Sequence, residues 1–178
     1  MKKILAIGGS INTQSINRTL ATYTAHLIAD VEVVVADLND FALPLYSPDL
    51  EKASGIPVHA HELFQLIGSV DGIVLSLAEY NGSYSGAFKN TFDWMSRIDK
   101  AVWQDKPMLL MSTSPGQGGA MHVLAQAKDA LPHYGARIVA DFSLPSFQDN
   151  FTDGDISNAD LKTALQVQVA LFATAVAA

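Results

Sequence analysis

The chain has 178 residues, 49% of them hydrophobic and 16% charged, which suits one globular domain, residues 1–178, with a full core. Its 18 acidic residues against 11 scattered basic ones leave a formal net charge of −7, without the basic cluster that phosphate neutralisation needs, so nucleic-acid binding is not expected. The absence of cysteine excludes a disulfide framework and a thiolate metal site and suits a reducing compartment.

In chain order, the N-terminal "MKKILAIGGS" sets two lysines before an apolar run from Ile4 to Ile7. That run falls short of the ~7–15 residues of an export signal, so the expected location is the cytoplasm. No apolar stretch approaches the ~20 residues of a membrane span, and no membrane partner is expected. "KILAIG" (3–8) is the first β-rich segment, followed by "VEVVVADL" (31–38), "DGIVLSL" (71–77), "PMLLMS" (107–112) and "ARIVADF" (136–142). Most lack clean alternation, as strands covered on both faces do. Between them the spacing turns helical: Ile16, Leu20, Tyr23 and Leu27 recur at threes and fours. Similar patterns cover 57–68, 86–98, 119–134 and about 158 to the end. Strand–helix alternation implies parallel strands joined by right-handed crossovers, with helices on both faces of an open sheet.

Ligands of such sheets bind beyond the carboxyl ends of the strands, which directs attention to the loops after the first, third and fourth. The first, "GGSINTQSINR" (8–18), offers hydroxyl, amide and backbone N–H donors at a helix N-terminus, a setting for an anion. Ser15 there also suits a plain helix N-cap. No dinucleotide fingerprint or ATP-type P-loop is present. The second, "AEYNGSYSGAFKN" (78–90), combines Gly82 and Gly86 with Tyr80 and Tyr84, which either lie against a flat ring or pack on neighbouring helices. The third, "STSPGQGGA" (112–120), places Gly116, Gly118 and Gly119 before a helix, as an amide-rich ligand edge or a flexible connection.

Taken together, "GSINTQSIN" resembles the Gly-Ser-x-Arg-x-x-Ser-x-Asn phosphate loop of the flavodoxin-like NAD(P)H-dependent FMN reductases, a family that includes quinone, azo-dye and chromate reductases. "AEYNGSYSGAFKNTFDW" resembles that family's Pro-Glu-Tyr-Asn-x-Ser-x-Pro-Gly-x-Leu-Lys-Asn-x-x-Asp-Trp stretch, and "SPGQGGA" its third loop. The resemblance runs from Ile4 through "LPLYSPD" (43–49) to the final helix. It implies a three-layer α/β sandwich with five parallel strands in the order 2-1-3-4-5 and helices on both faces, and a homodimer or dimer of dimers. The implied cofactors are FMN and NADPH or NADH, with a small-molecule electron acceptor as the other partner. Ser10, Ser15 and Asn17, with the Ile16 N–H, would hold the FMN phosphate, and Asn12 stands where the family usually has arginine. Glu79, Tyr80, Asn81 and Gly82 would line the isoalloxazine, and Ser114, Gly116, Gly118 and Gly119 its pyrimidine side. Lys89, Asn90, Asp93 and Trp94 would be structural or subunit-contact residues.

No side chain is expected to act as a catalyst and no metal is expected, since the flavin carries the redox chemistry. The cycle implied is two-step: hydride from NAD(P)H to flavin N5, then electrons to the acceptor, with amides at the start of the helix after the fourth strand stabilising the reduced ring. Asn12 removes a permanent cation, and Ala78 and Ser85 replace two prolines that would stiffen the second loop. An FMN electron carrier of flavodoxin type and a flavin-free binding or regulatory protein are the competing functions on the same scaffold. Other constellations read as structure. His59 and His61 in "HAHE" point to different helix faces, and "DNFTDGDISNAD" (149–160) puts Phe151 where a calcium loop needs oxygen. That segment is expected to form a turn and a final helix capped through Ser157 and Asp160.

Overall fold

The apolar runs become strands because helices cover both of their faces. The computed structural model describes residues 1–178. It contains β1 (Lys2–Gly9), β2 (Val31–Ala36), β3 (Gly72–Leu77), β4 (Pro107–Thr113) and β5 (Arg137–Leu144). All pair in parallel in the order β2-β1-β3-β4-β5, the flavodoxin-like arrangement. Alternate residues serve opposite layers. Leu5, Ile7, Ile73, Leu75, Met108 and Leu110 face one core, while Ile4, Ala6, Val74, Leu109 and Met111 face the other.

The helices are α1 (Ile16–His26), α2 (Pro48–Ser54), α3 (Val58–Ser69), α4 (Gly86–Ile98), α5 (Met121–Ala130), α6 (Phe147–Asn150) and α7 (Ala159–Ala177). Residues of α3, α4 and α5 close the first core, and those of α1 and α7 the second. The chain leaves β1 for α1 on one face and β3 for α4 on the other, so connections diverge between these adjacent strands. This is the switch point where a crevice is expected.

Several boundaries differ from the sequence reading. β2 ends at Ala36, because the Asp37 side chain accepts the Asn39 N–H and starts a 3-10 turn over Leu38–Phe41. The helix expected over 119–134 spans Met121–Ala130 and continues as a 3-10 turn over Leu131–Tyr134. The short α2 is additional to the expected helices: Ser47 caps it and Pro48 opens it, but no periodic apolar run accompanies those signals. The final helix is capped by Asn158, whose side chain accepts from Asp160 and Leu161 N–H groups; Ser157 instead donates to the Asp149 carbonyl. No helix is long and apolar enough to cross a membrane.

Trp94 and Trp103 are fully buried inside the chain. Trp94 donates to the Pro44 carbonyl at 2.7 Å and meets Tyr46 edge to face, while Trp103 stacks on Phe88. Of the two roles expected for Trp94, structural or subunit contact, the chain itself supplies a structural one: its ring packs the "LPLYSP" segment against α4.

Gly8 explains how closely α1 approaches the sheet. A Cβ there would lie 2.5 Å from the Arg18 nitrogen and 2.7 Å from its Cα, both backbone atoms that cannot rotate away. Gly86, at the first position of α4, has nothing within 4 Å of a built Cβ. Gly8→Ala should therefore cost ~1–3 kcal/mol of unfolding free energy by urea titration. Gly86→Ala should change it by less than ~1 kcal/mol, in the stabilising direction.

Candidate functional site

A cavity of about 310 Å³ opens at the carboxyl ends of β1, β3 and β4, within the ~300–1,000 Å³ range of small-molecule pockets. One end is built by the loop between β1 and α1. Ser10, Asn12, Ser15, Ile16 and Asn17, all expected at the site, line it, together with Gln14. The loop is held by its own polar groups. Ser10 Oγ accepts the Asn12 N–H at 3.1 Å, Asn12 Oδ1 accepts the Gln14 N–H at 2.9 Å, and Asn39 donates to the Ile11 carbonyl at 3.1 Å. Asn12 thus closes an Asx-type turn and keeps its Nδ2 free to donate. Ser15 caps α1 through the Arg18 N–H at 3.2 Å. The N–H groups of Ile16 and Asn17 find no acceptor within the chain and sit at the positive end of the helix dipole. Ser15 is therefore a cap and a cavity residue at once.

Arg18, the nearest cation in sequence, is turned away. Its guanidinium pairs with Asp37 and donates to the Thr13 carbonyl at 2.6 Å, outside the cavity. Burial pushes the Asp37 carboxyl up, but N–H groups of Asn39 and the Arg18 charge outweigh it and hold it below the usual carboxylate range. The cavity wall therefore contains no lysine, arginine or histidine. An anion there would rest on neutral donors alone.

The second wall comes from the loop after β3. Ala78, Glu79 and Tyr80 line the cavity. Glu79–Tyr80 and Ser83–Tyr84 form a two-residue hairpin whose tip, Asn81 and Gly82, has φ of +54° and +79°. That pairing needs two residues of positive φ, which Asn-Gly supplies most readily. Asn81 and Gly82 consequently turn the chain and do not face the cavity. Tyr80 is 55% exposed and lines the cavity. Tyr84 packs on Phe88 in the core, its hydroxyl without a partner and raised by burial to a pKa of about 12. Of the two tyrosines only Tyr80 is available to a flat ligand.

Glu79 has a second engagement. Its carboxylate accepts the Val123 N–H at 2.8 Å and lies 3.4 Å from His122 Nδ1. Ala120, the residue before α5, makes no side-chain cap, so Glu79 caps that helix from another loop. The N–H groups at the start of α5 are thus partly engaged within the chain. The Gly119 N–H bonds the Gly116 carbonyl, and the Met121 N–H that of Gly118.

From the third loop Ser114 lines the cavity, with Thr113 and Pro115 beside it and Gln148 of α6 across from them. Gly116, Gly118 and Gly119 do not. The Gly119 carbonyl accepts both Ser112 and Ser143 hydroxyls, at 2.7 and 2.8 Å, and a Cβ there would lie 2.2 Å from Ser143 Oγ. Its φ of +58° and this close packing account for the glycine without a ligand. Thr113 carried a signal, being a polar residue at the carboxyl end of an apolar strand. Gln148 carried none, because a four-residue helix brings it in from distant sequence.

A family model described as NADPH-dependent FMN reductase matches residues 2–149. The chain is 34% identical over 120 residues to a quinone reductase of Escherichia coli (strain K12), covering 66% of this chain and 63% of the relative. It is 37% identical over 119 residues to a 2-hydroxy-1,4-benzoquinone reductase of a Burkholderia species, with the same coverage. The match thus spans under two thirds of the length of these relatives. Over 99% of this chain and 98% of the other, its fold superimposes with a TM-score of 0.78 and 28% identity on FerB, a flavoenzyme NAD(P)H:(acceptor) oxidoreductase from Paracoccus denitrificans.

Proposed function

The chain belongs to the NADPH-dependent FMN reductase family, and from that premise we propose an oxidoreductase that moves electrons from NADH or NADPH to a quinone or another small acceptor, with FMN held at the carboxyl edge of the sheet. The observation that carries this reading is the donor set of the cavity. Unpartnered N–H groups of Ile16 and Asn17, the free Nδ2 of Asn12 and the hydroxyls of Ser10 and Ser15 converge at one end, as a phosphate requires. Tyr80, Ala78 and Pro115 supply apolar surface further along, as a planar ring requires. The residues present therefore fit a phosphorylated flavin.

When bound, FMN supplies the hydride-accepting and electron-donating chemistry that no side chain here provides. The polypeptide's part is placement. The α1 N-terminus and the serine hydroxyls bind and orient the phosphate, Tyr80 shields one face of the ring from water, and Ser114 and Gln148 donate to or accept from the polar ring edge. Glu79 lines the cavity while its Val123 bond holds the second loop to the start of α5.

The same reading includes a homodimer, or a dimer of dimers, working in the cytoplasm. Ile11 and Leu45, 54% and 82% exposed, line an apolar cavity of about 370 Å³ next to the phosphate loop, a surface that a second subunit would cover.

Anaerobic mixing of FMN-loaded protein with NADH and with NADPH should bleach the visible flavin band with at least one of them, and steady-state plots against nicotinamide and quinone should run parallel. A band that stays coloured with both favours an electron carrier. Asn12→Arg should tighten FMN by ~1.5–3 kcal/mol, roughly ten- to a hundredfold in Kd, and leave riboflavin unchanged, because the new bond is made to the phosphate alone. Light scattering of the loaded protein should give a mass at least twice that of the 19.1 kDa chain.

A further inference from the structure

We propose that Asn17 is a positioning residue for flavin binding, which sets the separation between the phosphate loop and the loop after β4 and does not itself ligate phosphate through its side chain; the proposal rests on the flavin reading above. Asn17 is 3% exposed, with its side chain bonded into the fold. Its Oδ1 accepts the Ser76 hydroxyl at 2.7 Å and the Thr113 N–H at 3.1 Å, and its Nδ2 donates to the Thr113 carbonyl at 3.1 Å. Both lone pairs of the amide oxygen are thereby engaged, and one of its two N–H donors.

These partners stand at particular places. The β3–β4 ladder ends at the Leu77–Ser112 pair, whereas β4 stays paired with β5 through Thr113 and Leu144. Beyond Leu77 the second loop turns off, and the N–H and carbonyl of Thr113 lose the strand neighbour that would have bonded them. Asn17, second residue of α1, takes that neighbour's place. Only a side chain that accepts and donates at once can bond both groups of one residue, which an amide does and a carboxylate or hydrocarbon does not. Ser76 explains itself in the same way: a fully buried hydroxyl in an otherwise apolar strand, oriented to the Asn17 oxygen. One side chain thus ties the first turn of α1 to the ends of both strands from which the other two loops depart.

Ser76 does not line the cavity, so any effect of its removal on flavin affinity must pass through Asn17. The experiment is titration of apoprotein with FMN and with riboflavin by fluorescence quenching, beside thermal melts, for wild type, Asn17→Ala, Ser76→Ala and the double variant. The expected result is that Asn17→Ala weakens both flavins by the same factor, about fivefold or more, the loss of one hydrogen bond's worth of positioning. Ser76→Ala should weaken both by a smaller common factor, and the double variant should be no worse than Asn17→Ala. Weakening of FMN with riboflavin unchanged overturns the proposal in favour of a direct phosphate ligand. Unchanged affinity for both flavins, with a lowered melting temperature, overturns it in favour of a purely structural bond. If Asn17→Ala does not fold, Ser76→Ala decides by the same criteria. Wild-type protein that binds neither flavin overturns the flavin reading itself.

Discussion

A parallel sheet covered on both faces must end somewhere, and at its carboxyl edge the backbone groups of diverging strands and loops lose their neighbours. In this protein short polar side chains on or beside the strands take them over. Ser85 donates to the Gly9 carbonyl, Ser112 and Ser143 to that of Gly119, Thr113 to that of Leu144, and Asn17 bonds both groups of Thr113. Most of these side chains are buried, where an unmade bond would cost ~1–3 kcal/mol. Each therefore holds a loop to a defined place on the sheet, and the cavity has its shape because those places are close together.

The electrostatics of that cavity follow from where charges are not used. The one arginine in the phosphate loop region is paired with Asp37 on the outer side, and the one carboxylate in the wall is engaged with the start of α5. What remains for an anion is backbone N–H, hydroxyl and amide, reinforced by the α1 dipole. In a chain of net charge −7, that arrangement would make the binding of an anion depend on geometry more than on attraction at a distance. Positional control by the edge bonds and the lack of a cation are two sides of one design, since neutral donors are effective only when well aligned.

The strand–helix alternation, the two-sided burial of the strands and the choice of loops were legible because periodicity and turn residues act over a few neighbouring positions. The loop between β1 and α1 was legible for the same reason: Ser15 caps α1, and Ser10, Asn12 and Ile16 lie within five positions of it and line the same cavity. Other local signals have a structural cause of their own. Three glycines before α5 suggest an amide edge by composition, yet Gly119 is glycine because β5 crosses it closely. Asn81 and Gly82 sit amid ligand-type residues, yet they serve the hairpin turn.

By itself, then, the sequence determined the class of fold, the sheet edge that matters and the kind of chemistry gathered there, because these rest on hydrophobic period and on residue types that are near neighbours. Only the tertiary structure decided which way each side chain is employed. Arg18 meets Asp37, Glu79 reaches Val123, Gln148 arrives from α6 and Asn17 turns inward to Ser76 and Thr113 because of contacts across 19 to 96 positions of chain. The physical reason is that a polar side chain within reach of several partners goes to the one that burial leaves unsatisfied, and which group is left unsatisfied is known only once the strands and helices are packed.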